Sequence, residues 1–525
     1  MTIAGSKKGL LLLVWTTVLA TIVMAACTKD NASPSPKSAA EGKVYYEIYV
    51  RAFSDSNGDG IGDLRGVTQK LDYLQKLGVE GIWLMPINPS PSDHGYDVTD
   101  FYDINPDYGS LDDFKKLLKE AKKRKISVIM DLVLNHTSDK HPWFVQSAKD
   151  PNGPYRDWYK WIKLTEEAPK SIMTKRVAYT AGENGQYLTI FASDLPDLNF
   201  DNPEVRAEAK KIAKFWLNLG VEGFRLDAAK HIYEDLVTDW MSQSVLDKNI
   251  QWWEEFREAV NEVNPDTYIV SEVWENSAAI IAPYLKPFNS SFNFAVGEEV
   301  IGSSDRETAT NLAGDLVRIY GLYDKASSGN FIDAPFLTNH DQNRVMSELN
   351  GNIEHAKMAA AQLFTLPGNP FVYYGEEIGM QGRKPDEYIR EPMIWSRSDM
   401  EGNTRWVQSK FNLHTASVEE QMKDPDSLYT HYSKWIHWRK KIDALRHGAI
   451  KSFASGNSKV AAFVRYTDKE QVLVLHNLSG TEQTVESGEI GSDSGFRKLI
   501  VESKQGAVMS EGRITIPPYS SVIIR

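Results

Sequence analysis

The stretch Gly223-Phe224-Arg225-Leu226-Asp227 is a short apolar run that ends on a carboxylate. Two similar stretches follow it, Tyr268-Ile269-Val270-Ser271-Glu272 and Phe336-Leu337-Thr338-Asn339-His340-Asp341. An ionised group at the end of a buried strand is costly unless it is paired, but active sites of parallel barrels lie where their strands end. The three stretches therefore predict that Asp227, Glu272 and Asp341 converge on one pocket.

Outward from these stretches, predicted strands alternate with predicted helices. Helices are expected at 64–77, from Leu111 after the cap Ser110, at 205–219 and at 251–263. Predicted strands cover 44–53, 81–86, 127–134, 223–228, 267–273, 291–296, 334–339 and 370–374. Eight strands with helices between them predict a (β/α)8 TIM barrel in the α/β class.

Two other regions do not follow this alternation of strands and helices. Residues 137–198 are rich in proline, glycine and aromatics and have no long amphipathic helix, which predicts an inserted subdomain after strand 3. Residues 450–525 contain short apolar runs separated by turn residues, which predicts a C-terminal antiparallel β-sandwich. The predicted catalytic barrel is therefore formed by residues 43–136 and 199–449.

The amino-terminal region has the pattern of an export signal. Lys7-Lys8 precede the apolar run Leu10 to Ala26, and the single cysteine of the chain, Cys27, follows two small residues. Met24-Ala25-Ala26-Cys27 resembles a bacterial lipobox, which implies a signal peptide at 1–26, lipidation of Cys27 and a flexible tether at 27–42. The alternatives are a plain signal peptide or an uncleaved anchor helix. We expect an extracytoplasmic protein, anchored to the cell membrane by lipid.

The net charge of the chain limits the classes of molecule that it is expected to bind. A formal charge of -12 argues against nucleic acid as a partner, because proteins that bind phosphate backbones are usually basic. A neutral ligand remains compatible with this charge, and we expect a monomer.

The residue types permit glycoside hydrolysis. Arg225 and Asp227 are two apart on a strand and share a face, so the guanidinium favours an ionised nucleophile. Glu272 has apolar neighbours, which favour a protonated general acid. One ionised and one protonated carboxyl form the working pair of glycoside hydrolysis, and Asp341 could hold sugar hydroxyls. His136 and His340 also lie at strand ends, where neutral imidazoles can donate hydrogen bonds to hydroxyls.

These stretches closely resemble the α-amylase family. The motifs are Asp131 to His136, Gly223 to His231, Ser271 to Trp274, Phe336 to Asp341, Leu195 to Asn199 and Gly95 to Val98. The resemblance implies α-glucan substrates, a glycosyl-enzyme on Asp227, Glu272 as acid/base and Asp341 as stabiliser. It also implies stacking of Tyr96 on the sugar at the cleavage point.

Details of the motifs favour cleavage of internal α-1,4 bonds of starch and maltooligosaccharides. Ala228 stands where relatives specific for α-1,6 bonds tend to carry valine, and Lys230 and His231 match residues that grip the leaving-group side of the glucan. The alternatives are an exo-acting α-glucosidase or oligo-1,6-glucosidase and an α-glucan transglycosylase. A catalytically silent glycan-binding lipoprotein is the non-enzyme alternative; retention of Arg225 with all three carboxylates disfavours it.

Two structural Ca²⁺ sites are expected. Residues 55–63 carry oxygen donors at alternate positions as in a calcium loop, although the glutamate that would complete an EF-hand is replaced by Gly66. The family resemblance implies binding through Asp55, Asn57, Asp59, the Ile61 carbonyl and Asp63. It also implies a second site at Asn135, Asp197 and the His231 carbonyl, between barrel and insert.

Overall fold

The computed structural model describes residues 41–170, 177–234, 242–491 and 495–525. The predicted signal peptide, Cys27 and almost all of the tether lie outside the described residues.

Eight parallel strands form the predicted barrel. Neighbouring strands pair in parallel, and a bridge between Phe336 and Phe371 joins the seventh strand to the eighth. In chain order the barrel strands are Tyr45–Ile48, Gly81–Leu84, Ser127–Leu132, Gly223–Leu226, Tyr268–Ser271, Ser290–Asn293, Ala334–Pro335 and Phe371–Tyr373.

Helices surround the barrel and fill the connections between its strands. The α-helices of the described residues are Val50–Phe53, Leu64–Gln69, Leu71–Leu77, Leu111–Lys123, Pro142–Lys149, Pro203–Leu219, Gln243–Asn261, Ala278–Ile281, Phe294–Asp305, Leu312–Ser327, Val345–Glu348, Ile353–Thr365, Asp386–Ile389, Val418–Gln421, Leu428–Lys441 and Asp443–His447. Short 3-10 helices are Pro106–Tyr108, Arg156–Trp158, Ala282–Leu285 and Glu376–Ile378.

Several predicted element bounds were wrong. The first strand ends at Ile48, and a one-turn helix follows where a strand to residue 53 was predicted. The predicted helix 64–77 is two helices that meet at Lys70. The predicted strand 291–296 ends at Asn293, because the Asn293 side chain accepts a hydrogen bond from Val296 N–H and caps a helix. Apolar runs buried on all sides carry little periodicity to separate strand from helix.

The segment between the third and fourth barrel strands contains its own small sheet. Its three antiparallel strands are Trp161–Ile162, Tyr179–Gly182 and Gly185–Leu188. Aromatic contacts hold this sheet to the helix Pro142–Lys149, with Phe144 packed against Trp161 and Tyr187.

The C-terminal region is a two-sheet antiparallel domain, as predicted. The strands of its larger sheet are Ala449–Ser452, Val460–Tyr466, Gln471–Asn477, Leu499–Glu502 and Ser520–Ile524. Those of the smaller sheet are Gln483–Glu486, Val508–Ser510 and Arg513–Ile516. Apolar residues such as Leu475, Val485 and Ile514 fill the space between the sheets.

Across the four described ranges, we find no helix with the length and apolar character needed to cross a membrane. The apolar run Leu10 to Ala26 lies outside those ranges.

Candidate active site

Side chains two positions apart on a strand point to the same side. Inside the barrel, this repeat places polar side chains above an apolar layer. Tyr45 and Ile129 belong to a buried cluster that fills the barrel. Glu47 and Asp131 lie two positions further along the same strands and therefore point to the same side. Both carboxyl groups are buried, at 2% and 1% exposure. The inner face of the barrel thus changes from apolar to acidic toward the carboxyl ends of its strands.

The Arg225 guanidinium is the centre of the acidic layer. Its Nη1 donates to Asp131 Oδ1 at 2.9 Å and to Asp227 Oδ1 at 2.5 Å. Its Nη2 lies 2.9 Å from Glu272 Oε2. Asp227 and Glu272 are therefore held at one mouth of the barrel by a single buried cation.

Glu272 has the environment of a proton donor. Burial raises the pKa of its carboxyl group above the usual value, although Arg225 acts in the opposite direction. Its Oε2 also accepts a hydrogen bond of 3.0 Å from the Ala228 N–H, which the backbone of Ala228 presents at a φ of 46°. Because two donors occupy Oε2, the proton of the acid form belongs on Oε1.

Asp341 is held as an anion. Burial opposes its ionisation, but His340 and Arg390 lower the pKa of the Asp341 carboxyl well below its usual range. His340 Nε2 lies 3.1 Å from one carboxylate oxygen, and Arg390 Nη2 donates to the other at 3.1 Å. The site therefore contains a buried acid at Glu272 and a paired anion at Asp341.

The two motif histidines differ in charge. Burial lowers the pKa of His136 to about 4, so this ring is neutral as predicted. Burial also opposes protonation of His340, but Asp341 and Glu47 raise its pKa to about 10. The prediction of a neutral His340 was wrong, because the sequence did not reveal its two carboxylate neighbours.

An open cleft of about 590 Å³ lies above these groups. Phe191 and Trp274 are partly exposed in it, at 40% and 44%, and offer flat apolar faces. The other lining residues are His94, Tyr96, His136, Leu195, Asp227, Ala228, His231, Glu272, Asp341, Lys384, Asp386 and Arg390. All three predicted catalytic carboxyl groups and three predicted substrate-binding residues, Tyr96, His136 and His231, therefore share one cleft.

The other three predicted substrate-binding residues lie behind the cleft surface. Arg225 and His340 are buried, at 1% and 0% exposure. The Lys230 ammonium donates to the Trp274 carbonyl at 3.0 Å and to Glu275 at 2.5 Å. In this structure these side chains hold the residues that line the cleft instead of forming its surface.

Among the site residues that the sequence did not predict, three contact its charged groups. Asp131 begins a recognised motif, and its two-residue spacing from Ile129 could have placed it inside the barrel. Glu47 has the same relation to Tyr45. Arg390 lies in the long connection after the eighth strand, where no periodic pattern indicates which way a side chain points.

The predicted calcium loop is a compact acidic turn. Asp55 accepts hydrogen bonds from the N–H groups of Asn57, Gly58 and Gly60, and Asp63 caps the helix Leu64–Gln69. Carboxylate, amide and carbonyl oxygens are the ligands that Ca²⁺ prefers, so the donor chemistry fits. Within the described residues, however, no three acidic, histidine or cysteine side chains already converge as a metal site.

The second predicted metal site is partly assembled. Asn135 Nδ2 donates to Asp197 Oδ1 at 2.8 Å. Burial, with a smaller contribution from the nearby Glu234, raises the pKa of the Asp197 carboxyl to about 8. Glu234 contacts the His231 ring, and its Oε2 is buried with no hydrogen-bond partner in the described part of the chain. A cation beside these carboxyl groups would offset their burial, so the residues fit Ca²⁺.

Comparisons with known proteins agree with this geometry. The family description "Alpha amylase, catalytic domain" matches residues 47–448, and "Alpha-amylase SusG C-terminal domain" matches residues 460–523. Alpha-amylase 3 of Dictyoglomus thermophilum is 42% identical over 486 residues, which cover 92% of this chain and 93% of that protein.

A solved α-amylase from H. orenii superimposes with a TM-score of 0.85 at 43% identity, covering 92% of this chain and 99% of its own. Other relatives are described as 4-alpha-glucanotransferases or oligo-1,6-glucosidases. The oligo-1,6-glucosidase of Parageobacillus thermoglucosidasius is 32% identical and covers 83% of this chain and 90% of its own length.

The barrel and its carboxyl cluster define a glycosidase. The chain belongs to the α-amylase family.

Proposed function

We propose that this protein hydrolyses internal α-1,4-glucosidic bonds of starch and maltooligosaccharides with retention of configuration. The observation that carries the proposal is the single Arg225 guanidinium that contacts both Asp227 and Glu272. A retaining glycosidase needs its two carboxyl groups roughly 5 Å apart, and a shared guanidinium keeps them close.

The proposed reaction has two displacement steps. Glu272 donates its proton to the glycosidic oxygen while the Asp227 carboxylate attacks the anomeric carbon, which breaks the glycosidic bond and forms a covalent glycosyl-enzyme. Glu272, now ionised, removes a proton from a water molecule that releases the sugar from Asp227. Asp341 accepts hydrogen bonds from the sugar hydroxyls, and the neutral His136 donates one.

The shape of the cleft supports action within a chain. A neighbouring cavity of about 530 Å³ shares Asp341 and Lys384 with the cleft. Space therefore continues past the carboxyl groups, as a polymer running through the site requires. A pocket that accepts only a terminal glucose would be closed on one side.

The products formed from soluble starch test this proposal. Endo-hydrolysis is expected to give a ladder of maltooligosaccharides at early times, with a steep fall in iodine staining. Glucose as the sole early product would favour an exo-acting α-glucosidase, and longer or cyclic glucans would favour a transglycosylase. Starch that is bound and left intact would contradict the enzyme and favour a glycan-binding lipoprotein.

Asp227→Asn is expected to lower turnover by at least about a thousand-fold, because the amide is a poor nucleophile. The initial rate of reducing-end release measures the effect, and circular dichroism confirms the fold. Asp333→Asn is a matched control, since Asp333 is a buried carboxyl that directly precedes the seventh strand, contacts Asn293 and Tyr320 and does not line the cleft. Near-normal turnover in Asp227→Asn would refute the role of Asp227.

We also propose structural Ca²⁺, held by Asp55, Asn57, Asp59, the Ile61 carbonyl and Asp63, with a second ion near Asn135, Asp197 and His231. The ion would neutralise clustered carboxylates, while the two-carboxylate chemistry itself uses no metal. Excess chelator is expected to lower the melting temperature while the initial rate at low temperature stays the same. An unchanged melting temperature would remove both sites from the proposal.

For the location of the protein, we propose an extracytoplasmic monomer tethered through lipidated Cys27, with α-glucan as its partner. The support is the basic, apolar and small-residue order that ends at Cys27. Radiolabelled fatty acid should be incorporated into the wild type and not into Cys27→Ser. Equal labelling of the two proteins would rule out this anchor.

A further inference from the structure

Glu47 is a buried carboxylate that the proposed reaction does not use. It lies in the first barrel strand, beside Tyr373 of the eighth, and its side chain is 2% exposed. Its Oε1 is 2.6 Å from Nδ1 of His340. An ionised carboxylate in this position is costly unless it is paired. Burial raises the pKa of the Glu47 carboxyl group, and the contact with His340 acts in the opposite direction and favours the charged form.

The opposite side of the His340 ring faces the substrate machinery. Its Nε2 lies 2.6 Å from the Tyr96 hydroxyl and 3.1 Å from Asp341 Oδ2. The Tyr96 hydroxyl also donates to Asp131 Oδ2 at 3.2 Å. A doubly protonated ring donates from Nδ1 to Glu47 and from Nε2 to the Tyr96 hydroxyl oxygen, with the Asp341 carboxylate 3.1 Å from the same nitrogen. A neutral ring with its proton on Nδ1 would present a lone pair to the Asp341 carboxylate.

We propose that Glu47 is a positioning residue whose carboxylate keeps His340 doubly protonated, so that Nε2–H holds Asp341 and Tyr96 in the orientation that the bound sugar requires. The link to sugar binding rests on the proposed function. Glu47 itself acts only through His340, because it is buried beneath that ring and does not line the cleft.

The charges around His340 favour this protonated state. The titratable or charged side chains that surround it come from six parts of the chain: Glu47, Tyr96, Asp131, Arg225, Asp341 and Arg390. Arg390 approaches the backbone, since its Nε donates to the His340 carbonyl at 3.1 Å. Burial lowers the pKa of the ring, but the two adjoining carboxylates outweigh it.

Glu47→Gln tests the role of the charge with little change in shape. The amide oxygen can still accept a hydrogen bond from Nδ1, but the negative charge is gone. The pKa of His340 should therefore fall, and Asp341 should lose its donor at a lower pH. We expect kcat to fall between about ten- and a hundred-fold, with a smaller change in KM. The pH at which His340 loses its ring proton should move down by about one unit or more.

The kinetic experiment compares wild type, Glu47→Gln, Glu47→Asp and Asp333→Asn on a chromogenic maltooligosaccharide from pH 5 to 10. Glu47→Asp restores the charge and should return kcat toward that of the wild type. Asp333→Asn removes a buried carboxyl that does not line the cleft, so a general loss of stability would affect it equally. Its kcat should stay near that of the wild type. A wild-type profile in Glu47→Gln would overturn the proposal.

A second readout does not require turnover. The ¹⁵N chemical shifts of His340, assigned by their loss in His340→Gln, report which ring nitrogens carry protons. The wild type should show a doubly protonated ring at pH 8, and in Glu47→Gln the ring should lose its proton at a pH lower by about one unit or more than in the wild type. A neutral ring in the wild type would refute the inference even if Glu47→Gln failed to fold. Absence of α-glucan cleavage by the wild type would instead refute the proposed function and leave this measurement valid.

Discussion

The buried carboxyl groups inside this barrel differ in pKa, because each has different charged neighbours. Asp341 has two cationic neighbours and stays ionised, whereas burial dominates at Glu272 and favours the proton. At Glu376, just past the eighth strand, burial is also the largest influence on the pKa of the carboxyl group. Its pKa rises to about 8, and the hydrogen bond that it accepts from the Tyr432 hydroxyl at 2.9 Å only partly offsets this.

The raised pKa of Glu376 predicts a pH dependence of stability. A glutamate in the unfolded chain titrates near pH 4.3, so between that pH and about 8 the folded protein binds a proton that unfolding releases. The free energy of unfolding should therefore fall as the pH rises through this window. Glu376→Gln lacks this titrating carboxyl group, so its free energy of unfolding should fall less. Its stability relative to the wild type should therefore increase by at least about 1 kcal/mol from pH 5 to pH 9.

Urea unfolding at the two pH values measures the change, with the exposed Glu258→Gln as a control for the loss of one charge. If the wild type and Glu376→Gln differ in unfolding free energy by the same amount at both pH values, the raised pKa of Glu376 is contradicted.

Among the elements, side-chain caps decide where several helices begin. Ser110 and Asp113 form a reciprocal box at the start of helix Leu111–Lys123. The serine hydroxyl accepts from Asp113 N–H at 3.3 Å, and the aspartate accepts from Ser110 N–H at 3.1 Å. This start was predicted from the spacing of the two residues. The Asn293 cap, in contrast, ended a predicted strand early, because the apolar residues on either side of it concealed the boundary.

Ser110→Ala is expected to cost about 1 kcal/mol of stability, because the N–H of Asp113 loses its acceptor. Ser110→Thr keeps a hydroxyl and should lose less. Chemical denaturation at neutral pH measures both variants, while starch hydrolysis by the folded protein should be unaffected, since this helix start lies outside the cleft. Equal stability of Ser110→Ala and the wild type would show that the cap contributes nothing measurable.

In the whole molecule, the C-terminal domain shares a core with the barrel. Phe463, Val474 and Ile523 of the larger sheet belong to the same buried cluster as the barrel helices. Arg465, which is fully buried, donates to the carbonyls of Thr365 and Gly448. The two domains should therefore unfold together, in a single calorimetric transition.

Arg465→Met is expected to lower the unfolding free energy by roughly 2 kcal/mol or more, because the buried barrel carbonyls of Thr365 and Gly448 lose their donor from the C-terminal domain. Arg513→Met, at an exposed position of the smaller sheet, is the matched control and should change little. Scanning calorimetry measures both. Two separate transitions in the wild type, or equal effects of the two variants, would contradict a shared core.

The order of strands, the barrel class and the convergence of Asp227, Glu272 and Asp341 could be predicted from the sequence, because hydrophobic periodicity and a carboxylate at a strand end are local properties of the chain. Only the tertiary structure decided which charges meet. Glu47 and His340 are 293 positions apart, and Arg390 reaches Asp341 from a connection without periodic pattern. Protonation depends on burial and on such distant neighbours, and no local pattern encodes either.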